Sequence, residues 1–201
     1  MPGPIDDLDP SRSETTHPIR LRRATSADRA ALEAGFEQLS SDSRVARFFT
    51  AMPTLSARML DDLLDVDGDH HVAIVALAAS DATEQRAPVL DRGVGVARYI
   101  RSTTDPATAE IAIAVIDEHH GRGIGRLLLT ALVDLAARNG IATLTATVLA
   151  DNSRMLRLLE SIGAHRAAEQ QDRTVVMLEV PVAPPPKQGA ELRSRTVVPR
   201  R

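Results

Sequence analysis

The chain of 201 residues contains no cysteine and no tryptophan, and only three phenylalanines and one tyrosine. Without cysteine there is no disulfide, no thiol nucleophile and no thiolate metal site, a composition that fits a reducing compartment. So few aromatics leave little material for base-stacking platforms. The net charge of −3 supplies no global basic field, so nucleic acid is not an expected partner. No apolar run reaches bilayer-spanning length, and the acid- and proline-containing start lacks the apolar segment of a secretion signal. No membrane partner is expected, and the expected location is cytoplasmic.

What is present divides the chain into three. Residues 1–17 are polar and aperiodic, which predicts a disordered leader. Residues 182–201, with Pro184-Pro185-Pro186 and a basic finish, predict a semi-extended flexible tail. Between them, 18–181 is expected to fold as one domain. Ile19 to Arg22 alternates like a short edge strand, and Thr25 or Ser26 caps a helix carrying Leu32, Phe36 and Leu39. Helices are expected from Ser41 and over Ser56 to Val66. Strands are expected over His71–Ala79, Gly93–Arg101, Thr108–Ile116, Thr143–Leu149 and Thr174–Val180, with a polar loop at 80–86. The amphipathic run Arg126–Asn139, with Leu128, Leu132 and Leu135 on one stripe, reads as a helix. So does Asn152–Ile162, stopped by Gly163. Three successive strands suggest an antiparallel meander, and the later strand–helix–strand step a parallel pair, giving a mixed α/β sheet.

One junction is more specific. The strand-like run Ala109–Glu118 flows into His119-His120-Gly121-Arg122-Gly123-Ile124-Gly125, and a helix starts at once. Backbone N–H groups at a helix N-terminus, joined to a loop with little side-chain bulk, favour an anion. The spacing lacks the Lys-Ser/Thr of a P-loop. It also differs from G-x-G-x-x-G and stands too late in the order of elements for a dinucleotide fingerprint, although Asp151 follows the next strand. A tight turn without a ligand is the remaining bland reading.

These residues resemble the GNAT superfamily of acyl-CoA N-acyltransferases, whose Q/R-x-x-G-x-G/A motif is similar to His120 through Gly125, led in from Val115. The family's later Asn opening a helix and Gly closing it are similar to Asn152 and Gly163-Ala164. Upstream, Leu39-Ser40-Ser41-Asp42-Ser43-Arg44-Val45-Ala46-Arg47-Phe48-Phe49 resembles the LS-x-x-S-x-x-x-RFF segment of bacterial Pat-type protein lysine acetyltransferases. The resemblance implies a single domain with a mixed, mostly antiparallel sheet of six to seven strands, helices on both faces, and a splay between the fourth and fifth strands.

It also implies roles. Acetyl-CoA is the expected cosubstrate, with no metal. The amides from Arg122 through Gly123, Ile124 and Gly125 to Arg126 would hold the pyrophosphate, Arg122 or Arg126 adding charge. The pantetheine arm would pair like a strand with Val115, Ile116 and Asp117, and a backbone N–H near Val115 would stabilise the oxyanion. Asn152 would bond the arm, besides acting as a plain N-cap.

A lysine of pKa near ~10.4 is neutral to only about one part in 10³ at pH 7, so a base is useful. Glu110, the ionisable residue within an otherwise apolar strand, is the candidate; burial there would raise its pKa. Its bland reading is an exposed strand start with a salt bridge. Where many relatives carry a Tyr as acid to the thiolate, this chain has Leu159. Tyr99 reads as packing. The His70-His71 and His119-His120 pairs and the acids at 61–69 lack metal-ligand spacing. The expected activity is acetyl transfer to an amine, a protein lysine or else a small amine; a non-catalytic acyl-CoA-binding domain is the alternative.

Overall fold

The computed structural model describes residues 19–78, 92–167 and 173–183. The leader at 1–17, the loop at 80–86 and most of the tail lie outside the described residues. Along the chain run β1 (Ile19–Arg23), α1 (Arg29–Glu37), α2 (Ser41–Phe48), α3 (Ala57–Leu64), β2 (His71–Ala78), β3 (Arg92–Arg101) and β4 (Thr108–Val115). There follow α4 (Ile124–Arg138), β5 (Thr143–Leu149), α5 (Ser153–Glu160), β6 (His165–Arg166) and β7 (Val175–Pro181). Among the described residues the strands form one seven-stranded sheet in the order β1-β2-β3-β4-β5-β7-β6. Its neighbours are antiparallel except β4 and β5, which are parallel. This is the mixed, mostly antiparallel α/β sheet expected.

Side-chain alternation sorts the two faces. Ala97 and Tyr99 of β3 and Ile111 and Ile113 of β4 belong to the main core, with Leu128, Leu129, Leu132 and Leu135 of α4. Ala73, Val75 and Leu77 of β2 point to the other face and pack with Ala24, Val66 and Val96 under the N-terminal helices. All eight residues of β2 are buried, because both faces of this strand are covered.

Capping places the helices. Ser40 and Ser56 each accept from the backbone N–H three residues on, at 3.2 Å, which starts α2 and α3. The cap expected at Thr25 opens a 3₁₀ turn, Ser26–Asp28, before α1. Asp28 fixes that turn by accepting from the Thr25 N–H at 2.8 Å and from both arms of Arg22 at 2.8 and 2.5 Å. Burial of the sheet edge also extends further than the composition implies. Val182, expected in the tail, is buried and donates to the Ala142 carbonyl at 2.8 Å. The two-residue strand β6 was too short to leave a periodic signal.

Two local departures matter for the site. The run Ala109–Glu118 is a strand only to Val115. Ile116 donates to Val94 at 3.0 Å, and His119 and His120 then donate back to Ile116 and Asp117, each at 3.0 Å. These bonds curl the chain into a 3₁₀ turn, Asp117–His119. The following helix begins at Ile124, inside the glycine run, rather than at Arg126.

Candidate active site

The parallel pairing of β4 with β5 is short: Thr108↔Thr143, Ala109↔Leu144 and Glu110↔Thr145. Beyond Glu110 the strands part. Ser102 donates to Thr108 and Ile116 donates to Val94, so even-numbered residues of β4 direct their backbone groups to β3. By alternation, those of Ile113 and Val115 face the opening. His120 caps one of them: its Nε2 lies 2.8 Å from the Val115 carbonyl. Arg154, in the first turn of α5, contacts the other ring nitrogen, Nδ1. This arrangement puts the imidazole proton on Nε2, occupies the Val115 carbonyl, and leaves the Val115 N–H directed into the gap.

The glycines at the wide end do different jobs. Gly121 and Gly123 both have φ of 77°, a left-handed conformation that side chains disfavour. Gly123 is the N-cap of α4, whose first helical bond runs from Leu127 N–H to the Gly123 carbonyl at 3.0 Å. The N–H groups of Ile124, Gly125 and Arg126 therefore have no partner within the helix. Gly125 also serves packing: a Cβ there would lie 2.9 Å from Leu158 Cδ2 of α5. Arg122 and Arg126 are exposed beside this turn.

Asn152 is an N-cap, its Oδ1 accepting from the Met155 N–H at 3.1 Å. Its amide NH₂ makes no hydrogen bond among the described residues. Asp117 sits past the strand end, and its carboxylate is already occupied. It accepts from the Ser40 N–H at 2.9 Å, the Ser40 hydroxyl at 2.8 Å and the Ser43 hydroxyl at 2.9 Å. Burial alone would raise this carboxyl, but those three donors outweigh it and hold the pKa below its ordinary value. Ser40 and Ser43 are the two fixed serines of the upstream LS-x-x-S pattern, so that pattern ties α2 to the turn leading into the glycines.

Where the strands part, a cavity of about 70 Å³ opens, lined by Ala46, Arg47, Phe49, Glu110, Ile113 and Leu159, among others. Glu110 stands at its edge and is exposed, not buried as its apolar strand suggested. The reason is positional: Ala109 and Ile111 turn to the core, while Glu110 points to the opposite face at the point where β5 departs. Phe49 is 47% exposed at the same opening and has φ of 58°, the one left-handed non-glycine among the described residues. Leu159 is buried in the wall, so no acid stands there. Tyr99 is also buried, and Asn139 Nδ2 donates to its hydroxyl at 2.6 Å.

A scan against protein-family models matches residues 19–165 to the acetyltransferase (GNAT) domain. The chain belongs to the GNAT acetyltransferase family. An acetyltransferase of Pseudomonas aeruginosa is 28% identical over 173 residues, 86% of each chain. The acetyltransferase Pat of Mycolicibacterium smegmatis is 33% identical over 148 residues, 73% of this chain and 40% of the relative. This GNAT chain thus spans less than half of that Pat protein. The crystal structure of the GNAT domain of S. lividans PAT superposes with a TM-score of 0.71 at 28% identity, covering 81% of this chain and 90% of that one. The gap between β4 and β5 is therefore the splay of a GNAT acetyltransferase.

Sequence reasoning placed His120 in the motif but gave Arg47, Arg98 and Phe49 no role at the site. A cation at Arg98 in the middle of an apolar strand was a usable signal. Among the described residues no three His, Asp or Glu side chains group as metal ligands would. No described helix is long and apolar enough to cross a membrane.

Proposed function

We propose that this GNAT acetyltransferase moves an acetyl group from acetyl-CoA to an amine by direct attack in a ternary complex. The amides of Gly123 to Arg126, with Arg122 and Arg126, take the pyrophosphate. The pantetheine arm lies along Val115 and Ile116 in the splay, with the Asn152 amide donating to it. The amine approaches from the α2 side. Its nitrogen attacks the thioester carbon, a C–N bond forms, and the negative charge moves to the carbonyl oxygen, where the Val115 N–H donates. Glu110 accepts the amine proton, directly or through one water. The intermediate collapses with cleavage of the C–S bond, and the thiolate, whose acid has a pKa near ~8.5, departs without a general acid in the wall at Leu159.

The single observation that carries this reading is the parting of β4 and β5 at Glu110 itself. The residue that can take a proton stands at the mouth of the gap that can take the thioester. The favoured acceptor is a protein lysine, on the likeness of residues 39–49 to the Pat-type segment. The test is thiol release from acetyl-CoA with a panel of lysine proteins and small amines. A rate above background that depends on the acceptor supports transfer. CoA binding with no release from any acceptor supports a non-catalytic acyl-CoA-binding domain instead.

A further inference from the structure

Two arginines three residues apart on α2 have opposite fates. Arg44 is fully engaged: Nε donates to Leu39 at 3.1 Å, one arm to Pro53 at 2.9 Å, the other to Glu37 at 3.2 Å, and its guanidinium lies 4.4 Å from the Phe36 ring centre. Arg47, one turn on, makes no hydrogen bond and has no carboxylate within ion-pair distance among the described residues. It rests 4.8 Å from the Phe48 ring. Arg98, in the middle of β3, is likewise without such a partner. The register sets Arg98 opposite Ala112 and Ile100 opposite Glu110, so Arg98 and Glu110 share a face as diagonal neighbours. Both arginines line a cavity of about 90 Å³ between the N-terminal helices and the sheet, whose other walls include Leu32, Phe36, Leu55 and Leu63. Arg47 also lines the splay cavity.

Both are half-buried cations without a counter-charge in contact among the described residues. Burial, then the charge of Arg98, lowers the pKa of Arg47 to about 10, and Glu110 opposes the shift. Arg47 is still charged at neutral pH. Burial lowers Arg98 as well, opposed by Glu110 and by Asp62, which is exposed on α3 and screened by solvent. One carboxylate standing off from both cannot satisfy two guanidinium forks, and half-buried forks facing a common cavity favour a ligand that can.

We propose that Arg47 and Arg98 form a seat for a carboxylate that the acceptor carries beside its amine. The inference rests on the amine-transfer reading and narrows its acceptor. The amine enters the splay at Glu110, the carboxylate meets the two guanidinium forks, and apolar atoms of the acceptor enter the cavity under α1 and α3. A free amino acid and a lysine flanked by acidic side chains both supply this chemistry. The two cations also disfavour an ammonium at Glu110, which assists loss of the proton before attack.

The experiment compares acceptors with and without the carboxylate, rates being expressed per neutral amine because amidation lowers the α-amine pKa of leucine. Leucine is set against leucinamide, and a blocked Glu-Lys-Glu peptide against a blocked Gln-Lys-Gln peptide, with thiol release as readout. The carboxylate member of at least one pair should have kcat/KM higher by about tenfold or more. Arg98→Gln should abolish the preference while KM for acetyl-CoA stays the same; Arg47→Gln is the second variant should the first not fold. A preference confined to leucine assigns the free amino acid, and one confined to the peptides assigns acidic flanks. No preference in either pair, or one that survives both substitutions, overturns the seat. If no acceptor releases thiol, amine transfer fails separately and calorimetry decides the seat. N-acetylleucine should then bind the wild type more tightly than N-acetylleucinamide does and lose that advantage in Arg98→Gln; equal binding overturns it.

Discussion

The two ends of the splay are built from different materials. At the end proposed for the donor the groups are mainly backbone: two left-handed glycines, the first amides of α4 and the Val115 N–H, with the Arg122, Arg126 and Asn152 side chains beside them. At the end proposed for the acceptor they are side chains brought from three elements: Arg47 of α2, Arg98 of β3 and Glu110 of β4. A backbone site depends on conformation, so substitutions act through φ angles and close approach. A side-chain site depends on charge and reach, so substitutions act through what the group donates or accepts. The donor end should therefore respond in acetyl-CoA binding and stability, and the acceptor end in turnover and acceptor choice.

The strongest challenge to the division is at Gly125, where a larger residue meets Leu158. Gly125→Val should cost about 1–3 kcal/mol by overpacking between α4 and α5. At ~2–4 °C of Tm per kcal/mol for a domain of this size, thermal melting resolves it easily. An unchanged Tm would show that Leu158 yields freely and that Gly125 does not set the approach of α4 to α5.

Gly123→Ala is the conformational counterpart. An alanine held at the left-handed φ costs about 1–2 kcal/mol, and relaxing it turns the first amides of α4. We expect KM for acetyl-CoA to rise by about tenfold while KM for the acceptor holds. Equal rises in both constants would break the separation of the two ends.

Asp117 links the ends, because it ties the start of α2 to the turn before the glycines. Asp117→Asn should destabilise by about 1 kcal/mol, modest because the site is partly exposed. The folded-state pKa of Asp117 lies below its unfolded value. Its contribution is thus fully present above the unfolded value of about 3.9 and fades as pH falls through the folded one. Melting curves of the two proteins should differ at neutral pH and converge below about pH 4. A difference that persists in acid would assign the effect to packing rather than to the carboxylate.

How much of this was legible in the sequence follows the same division. Glycines at alternate positions are conspicuous, so the glycine turn, the α4 stripe and the Asn152 cap could be read directly. Strand periodicity placed Glu110 on β4, but its exposure depends on where β5 leaves β4, which no local pattern records. Arg47 and Arg98 are 51 residues apart and meet only because β3 pairs with β4 beneath α2. Ser41 to Ser43 reads as a helix start; the bonds of Ser40 and Ser43 to Asp117, 77 positions beyond Ser40, leave no local signal. The strand end at Val115 was overrun because Ile116-Asp117-Glu118 lacks a breaker, and only the bonds back to Ile116 and Asp117 stop it.

Glu110→Gln tests the central claim most directly, because it keeps the side chain's size and removes its ability to take a proton. With the best acceptor from the thiol-release panel, kcat should fall by about 10²-fold or more, while calorimetry gives an unchanged affinity for CoA. An unchanged kcat would contradict Glu110 as the base, and a lost CoA affinity would contradict the separation of the two ends.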